Sequence, residues 1–115
     1  MTQIGEYPDT FFRISLKAVI CDDEGRVLVV KEMNNDNWNL PGDGMEHHET
    51  DHEAMARELK EEIGYTGNFT MQPIGTQPML LESRTAMQLW VVYDVALDTS
   101  KVSIGEEATA LPQHK

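Results

Sequence analysis

The stretch WNLPGDGMEHHETDHEAMARELKEEIGY, residues 38–65, decides the fold. Its first part cannot be regular: Pro41-Gly42-Asp43-Gly44 follows at most a short strand over residues 38–40. Its second part carries start and stop signals for a helix. Thr50 is a good N-cap, and Glu53 three residues later completes a capping box. The helix is predicted to run to about Ile63, with Gly64 in the left-handed position just past its end.

The charges on this helix are unusual. Glu58, Glu61 and Glu62 stand three and four positions apart, where like charges repel. Glu61 and Glu62 also fall near the C-terminus, where the helix dipole disfavours negative charge. A cation nearby would relieve both costs, and a divalent metal held by hard oxygen ligands is the simplest one. Each residue advances the helix by roughly 100°. With Met55 as zero, Leu59, Ile63 and Ala56 form the core-facing stripe, while Glu62 lies about 20° and Glu58 about 60° to the other side. Both acids therefore border the buried face. Arg57 is within a turn of Glu53 and Glu61, and Lys60 points elsewhere. This leaves Glu58 and Glu62 as the direct metal ligands. Glu61 remains open as an outer ligand, a ligand to another metal, or a base. A solvated acidic face with Arg57 as an ion-pair partner accounts for the same residues.

Working outward, residues 11–20 are apolar and β-compatible and read as a strand. Asp22-Asp23-Glu24-Gly25 is a turn, and residues 26–32 read as the returning strand of a hairpin. Residues 34–37 form a loop. Beyond the helix, residues 65–73 and 79–82 are predicted strands. Ser83-Arg84-Thr85 turns the latter into residues 86–97, the strongest strand signal in the chain. Residues 103–115 give no clear reading. Strand-rich segments around one long helix indicate an α+β or α/β sandwich with a mixed sheet.

With 115 residues the chain is long enough for one domain, residues 1–115, and too short for two. Cys21 is the only cysteine, so no internal disulfide forms. With no signal-peptide pattern and no membrane-length apolar run, a cytoplasmic setting is expected. The net charge of -11 argues against general nucleic-acid binding, and no membrane partner is expected. A small phosphate-bearing substrate stays compatible with it, because bound metal reverses the local field.

The segment from Glu49 through Arg57-Glu58-Leu59-Lys60-Glu61-Glu62-Ile63-Gly64-Tyr65 resembles the Nudix hydrolase signature. That signature is Gly, five residues, Glu, seven residues, then Arg-Glu-aliphatic-x-Glu-Glu-x-Gly-aliphatic. Trp38-Asn39-Leu40-Pro41-Gly42 is similar to the segment that leads into it. So many fixed residues at fixed spacing make the match specific. The resemblance implies an α/β/α sandwich around a mixed sheet. It implies hydrolysis of a nucleoside diphosphate linked to another group, X, with Mg²⁺ or Mn²⁺. It assigns Glu58, Glu62 and often Glu61 to metal, with the Asp43 carbonyl assisting. It also has Arg57 orient the carboxylates and Glu49 support the loop and helix. The general base in the family is either a motif Glu, with Glu58 and Glu61 both placed in the catalytic set, or a Glu in a later loop. Glu106 and Glu107 occupy that loop, with an exposed acidic turn as their plainer reading.

Two departures matter. Asp43 stands where the motif has its first Gly, and His48 replaces a common Gly just before Glu49. The Asp43 carboxylate would sit beside an anionic substrate. Asp43 and the short C-terminus favour a rival reading, a non-catalytic Nudix-like module that binds a nucleotide or protein. Family members often continue into a further helix covering the sheet, and the chain has little room for one. Dimerisation is the expected cover for any apolar surface so exposed.

His48-Glu49-Thr50-Asp51-His52 spells the H-E-x-x-H pattern of zinc peptidases. That chemistry needs both histidines on one helical face. With the helix starting at Thr50, His48 is left in the loop. Trp90, Val91, Val92, Tyr93 and Val95 are expected to pack the sheet. Trp38 and Met33, near the loop face, are candidates to contact a base, and Arg84 to contact phosphate. Arg13, Lys17 and Lys31 are, like Arg84, scattered basic residues of which one or two are candidates to meet phosphates, with a solvated surface position the default for each.

Overall fold

A strand buried on both sides organises the molecule. The computed structural model describes residues 12–31, 37–80, 87–103 and 108–112. In β1, Phe12–Val19, Ser15, Leu16, Lys17 and Ala18 are all buried. Successive side chains of a strand point to opposite faces. Leu16 and Ala18 thus join the core on one side, and Ser15 and Lys17 are covered on the other. β1 runs parallel to β5, Met87–Leu97, in the register Phe12↔Met87 to Val19↔Asp94. β4, Phe69–Leu80, pairs antiparallel with the far edge of β5. The sheet order is β1-β5-β4, so the sheet is mixed.

A second three-stranded sheet holds β2, Arg26–Lys31, between β3, Trp38–Asn39, and β6, Ala108–Pro112, both antiparallel to it. The helix α1, Asp51–Ile63, lays Met55, Leu59 and Ile63 against Leu16, Ala18, Tyr93 and Val95. The expected α+β architecture with a mixed sheet is what forms. No helix among the described residues is long and apolar enough to cross a membrane.

The local signals of α1 read correctly. Thr50 caps it, Glu53 closes the capping box, and Gly64 takes the left-handed turn at φ 63°. The core stripe differs in one place: Ala54 is buried where Ala56 was expected. Ala54 lies on the same side of Met55 as Glu58, and Glu58 is buried with it.

Two strand readings are corrected. The turn at Asp22–Gly25 forms, with the Asp22 carboxylate accepting the Glu24 and Arg26 N–H groups at 2.9 Å. The hairpin it should close does not continue. After the Cys21↔Val27 bridge, β1 and β2 part into different sheets. The edge of β1 that β2 would need is occupied by residues 41–45. In place of separate strands over 65–73 and 79–82 there is one strand, β4, which starts at Phe69 and runs to Leu80 through a register shift between Pro73 and Gly75; residues 81 and 82 lie outside the described residues. An edge strand tolerates Pro73 and Pro78 because one row of its N–H groups faces no partner. In the unread tail, Ala108–Pro112 forms β6.

Candidate active site

Residues 41–45 lie along β1 like an extra strand. The Ala18 N–H donates to the Pro41 carbonyl at 2.9 Å, the Leu16 N–H to Asp43 at 3.0 Å, and the Met45 N–H to Ile14 at 2.8 Å. Gly42 makes this close approach feasible. Its φ is 121°, and a Cβ there would fall 1.9 Å from the Leu16 carbonyl oxygen. Asp43, where the signature has Gly, needs no such freedom: among the described residues His48, at φ 70°, is the only non-glycine with positive φ. The torsional demand therefore falls on His48, a short polar-ring residue that tolerates the left-handed region better than most. The Asp43 carbonyl, suggested as a metal ligand, already accepts the Leu16 N–H.

Arg57 ties the loop to the helix. Its Nε and Nη2 donate to the two oxygens of Glu49 at 2.7 and 2.9 Å, and Nη2 also donates to the Gly44 carbonyl at 3.0 Å. Its Nη1 donates to Glu58 at 2.9 Å and more loosely to Glu61 at 3.4 Å. This corrects two expectations. Glu53 is not an Arg57 partner, because its carboxylate accepts the Thr50 N–H in the capping box. Glu58 does have a cation, since the adjacent Arg57 donates to it through Nη1. Glu49 also accepts the Glu46 N–H at 2.8 Å, which fixes the loop's own turn.

The paired charges shift both groups. The Arg57 guanidinium, then the Glu46 N–H, hold the Glu49 carboxyl down at about 2, against an ordinary 4.5. Arg57 is raised in turn, chiefly by Glu49. A carboxyl depressed in the fold contributes stability above its unfolded value and loses it as pH falls through the folded one. Wild type should therefore melt higher than Glu49→Gln at neutral pH. The gap should hold down to about pH 4.5 and close as the pH approaches about 2. Thermal melts of both proteins across that range check this. A gap independent of pH would mean the ion pair contributes nothing.

Glu58 and Glu62 sit in the opposite condition. Burial raises the Glu58 carboxyl, Arg57 partly offsets this, and Asp43 and Glu61 add repulsion. Burial pushes Glu62 up to about 7, opposed by the Gly42 N–H that donates to it. Glu58 and Asp43 repel it further, while the Lys17 ammonium attracts it. Thus Glu58, Glu61, Glu62 and Asp43 form one electrostatic neighbourhood with more negative than positive charge. All its donors are hard oxygens, the set suited to Mg²⁺ or Mn²⁺. Among the described residues, no three His, Cys, Asp or Glu side chains are gathered closely enough to hold a metal ion as they stand. Arg57 draws Glu58 and Glu61 toward itself, and the Glu61 side chain is 59% exposed.

Lys17 was misjudged as surface. It is 7% exposed, and its Nζ donates to the Gly42 carbonyl at 3.0 Å. The sequence offers no more than its place between Leu16 and Ala18 in an apolar run, which does not tell a covered face from a solvated one. Trp38 is 43% exposed on β3, three residues before Pro41. Met33, Arg84, Glu106 and Glu107 lie outside the described residues. His48 precedes the helix cap, and His52 stacks on Phe69 with ring centroids 4.5 Å apart, so the two are not paired on one helical face. Trp90, Val91 and Val92 are half-buried, and Tyr93 and Val95 are buried, in keeping with sheet packing.

The family model for the NUDIX domain matches residues 11–108. Over 53 residues the chain is 42% identical to the RNA pyrophosphohydrolase of Halorhodospira halophila, covering 46% of this chain and 29% of that protein. A longer match, 34% identical over 96 residues, is to the RNA pyrophosphohydrolase of Aeromonas hydrophila subsp. hydrophila, covering 84% of this chain and 51% of that one. The chain thus spans between about a third and about half the length of these curated relatives. Among solved structures, the MutT protein from Methanosarcina mazei Go1 superposes with a TM-score of 0.71 at 23% identity, over 92% of this chain and 80% of that one. The E. coli dihydroneopterin triphosphate pyrophosphohydrolase gives 0.71 at 20% identity, over 87% and 82%. Identities this low bear on the fold alone.

Proposed function

The chain belongs to the NUDIX domain family, and from that membership we propose that it is a pyrophosphohydrolase. It would cleave the phosphoanhydride of a nucleoside diphosphate linked to a further group, using Mg²⁺ or Mn²⁺. The observation that carries this is the pair of neighbouring acids, buried Glu58 and half-buried Glu62, whose charge Arg57, Lys17 and the Gly42 N–H only partly compensate. A buried carboxylate in surplus is costly unless a cation completes the site.

Glu58 and Glu62 would hold the ion, with Glu61 joining from its exposed position. When bound, Mg²⁺ or Mn²⁺ supplies Lewis acidity toward the pyrophosphate oxygens and the attacking water. Arg57 keeps Glu58 aimed, because it is itself fixed at two points by Glu49 and at a third by Gly44. Water attacks phosphorus, the anhydride P–O bond breaks, and a carboxylate accepts the water's proton. Glu61, exposed and only loosely bonded to Arg57, is our choice for that base, with Glu107 the alternative. Trp38 is proposed to contact the base of the substrate and Arg84 a phosphate.

The relatives' names introduce RNA as a second substrate class. The net charge of -11 favours a small nucleotide over a polyanion. A panel of nucleoside triphosphates, sugar nucleotides, dinucleoside polyphosphates and 5′-triphosphorylated RNA, each with Mg²⁺ or Mn²⁺, separates them. Asp43→Gly belongs in the same panel. Asp43 is exposed and its backbone needs no glycine, so the change removes a charge facing the substrate without a torsional gain. We expect kcat/KM to rise about fivefold, the effect of removing roughly 1 kcal/mol of solvent-screened repulsion. Turnover absent in wild type and present only in Asp43→Gly would instead support a binding module.

A further inference from the structure

Among the described residues Lys17 is the only lysine or arginine that is buried. A buried ammonium is costly and needs partners. Lys17 has two besides its strand neighbours. Its Nζ donates to the Gly42 carbonyl at 3.0 Å and stands 5.1 Å from the centre of the Trp90 ring. Gly42 is at the same time the residue whose N–H donates to Glu62. One residue is therefore gripped from both sides, by an ammonium on its carbonyl and by a carboxylate on its amide. Gly42 has no side chain to hold it, and its φ of 121° is open only to glycine. The grip adds to the strand bonds on either side of Gly42, from Ala18 N–H to Pro41 and from Leu16 N–H to Asp43, in keeping this residue in place.

We propose that Lys17 is a positioning residue for the metal-binding edge. Through the Gly42 backbone it holds the Glu62 carboxylate in the orientation that takes up a divalent cation. Trp90 is the floor over which its ammonium stands. This rests on the function proposed above and adds to it a residue that the signature does not contain.

Two physical effects of Lys17 have opposite signs, which makes the inference decidable. As a bare charge, Lys17 repels an incoming cation, so its removal would tighten metal binding. As a positioning group, it prepares Glu62, so its removal would weaken binding, by the 10- to 100-fold typical of groups that orient metal ligands. The measurement is Mn²⁺ binding to the full chain without substrate, from the electron paramagnetic resonance signal of free Mn²⁺. Wild type is compared with Lys17→Arg, Lys17→Gln and Lys17→Met. We expect Lys17→Met to bind Mn²⁺ about 10- to 100-fold more weakly. Lys17→Arg, which keeps donor and charge, should restore most of the affinity. Lys17→Gln, which keeps a donor alone, should fall between.

Equal or tighter binding by a cooperatively folding Lys17→Met overturns the inference. Where that variant does not fold, Lys17→Gln decides: weaker binding than wild type supports the inference, and equal or tighter binding overturns it. A wild type that binds Mn²⁺ while all three variants bind equally leaves the proposed function standing and removes Lys17 from it. A wild type that binds none removes both.

Discussion

Glu62→Gln is expected to lower turnover about a thousandfold, while leaving the metal-free protein more stable than wild type near pH 8. The loss of rate follows from losing a charged ligand at the proposed metal edge. Several kcal/mol of transition-state stabilisation depend on the ion, and roughly 4 kcal/mol corresponds to that factor. The gain in stability follows from burial. Glu62 titrates at about 7 in the fold against an ordinary 4.5. A raised carboxyl favours folding below its unfolded value, and that advantage is lost as pH rises through the folded one. Metal-free wild type should therefore lose stability, relative to Glu62→Gln, between about pH 4.5 and about pH 7. The carboxamide oxygen still accepts the Gly42 N–H, so the loop keeps its anchor. Melts with and without Mn²⁺ at pH 5 and pH 8 test both halves. Wild type should gain from Mn²⁺ at pH 8, and Glu62→Gln should not. Full turnover by Glu62→Gln would remove Glu62 from the site.

What the sequence made legible follows from the range of the forces involved. Helix α1 was readable to its ends because its signals are local. Thr50 and Glu53 bond each other across one turn, and Gly64 supplies a torsion few residues adopt. The acids at its edge were placed correctly by angle alone. Errors arose where partners compete over long distances in the chain. The hairpin of β1 and β2 looked compulsory from the turn at Asp22–Gly25. It fails because β1 has only two edges, and β5 and residues 41–45 take them. Arg57 was within a turn of Glu53, but the capping box had first claim on that carboxylate. Its main partner, Glu49, is folded back by a loop whose left-handed residue is His48, and the only hint of that torsion is that the family commonly has Gly there. Lys17 was misread because a lone lysine in an apolar strand looks like the solvent face. The second cover, made by Trp90 and the Gly42 loop, comes from segments far along the chain.

Gly42→Ala should be the most damaging single change at the site, although it adds one methyl group. The new Cβ would meet the Leu16 carbonyl oxygen at 1.9 Å, the Leu16 carbonyl carbon at 2.9 Å and the Lys17 Cα at 3.2 Å. All three are backbone atoms of a buried strand, so none can swing aside as the end of a side chain would. The φ of 121° adds strain of its own, since it lies outside the regions open to alanine. The loop must therefore lift from β1. That breaks the bonds from the Ala18 and Leu16 N–H groups to Pro41 and Asp43, both in the core. A buried donor left unpaired costs about 1–3 kcal/mol. Two such donors and the torsional strain together give an expected loss of about 4 kcal/mol or more in urea unfolding. Activity should fall with it, because Glu62 and Lys17 lose the residue they share. Gly25→Ala is the control. Its φ of 77° is also positive, yet nothing lies within 4 Å of the added Cβ. It should cost only the torsional penalty, about 1–2 kcal/mol. Equal losses in the two variants would mean that torsion alone matters at Gly42, and the close seating of the loop on β1 would have to be abandoned.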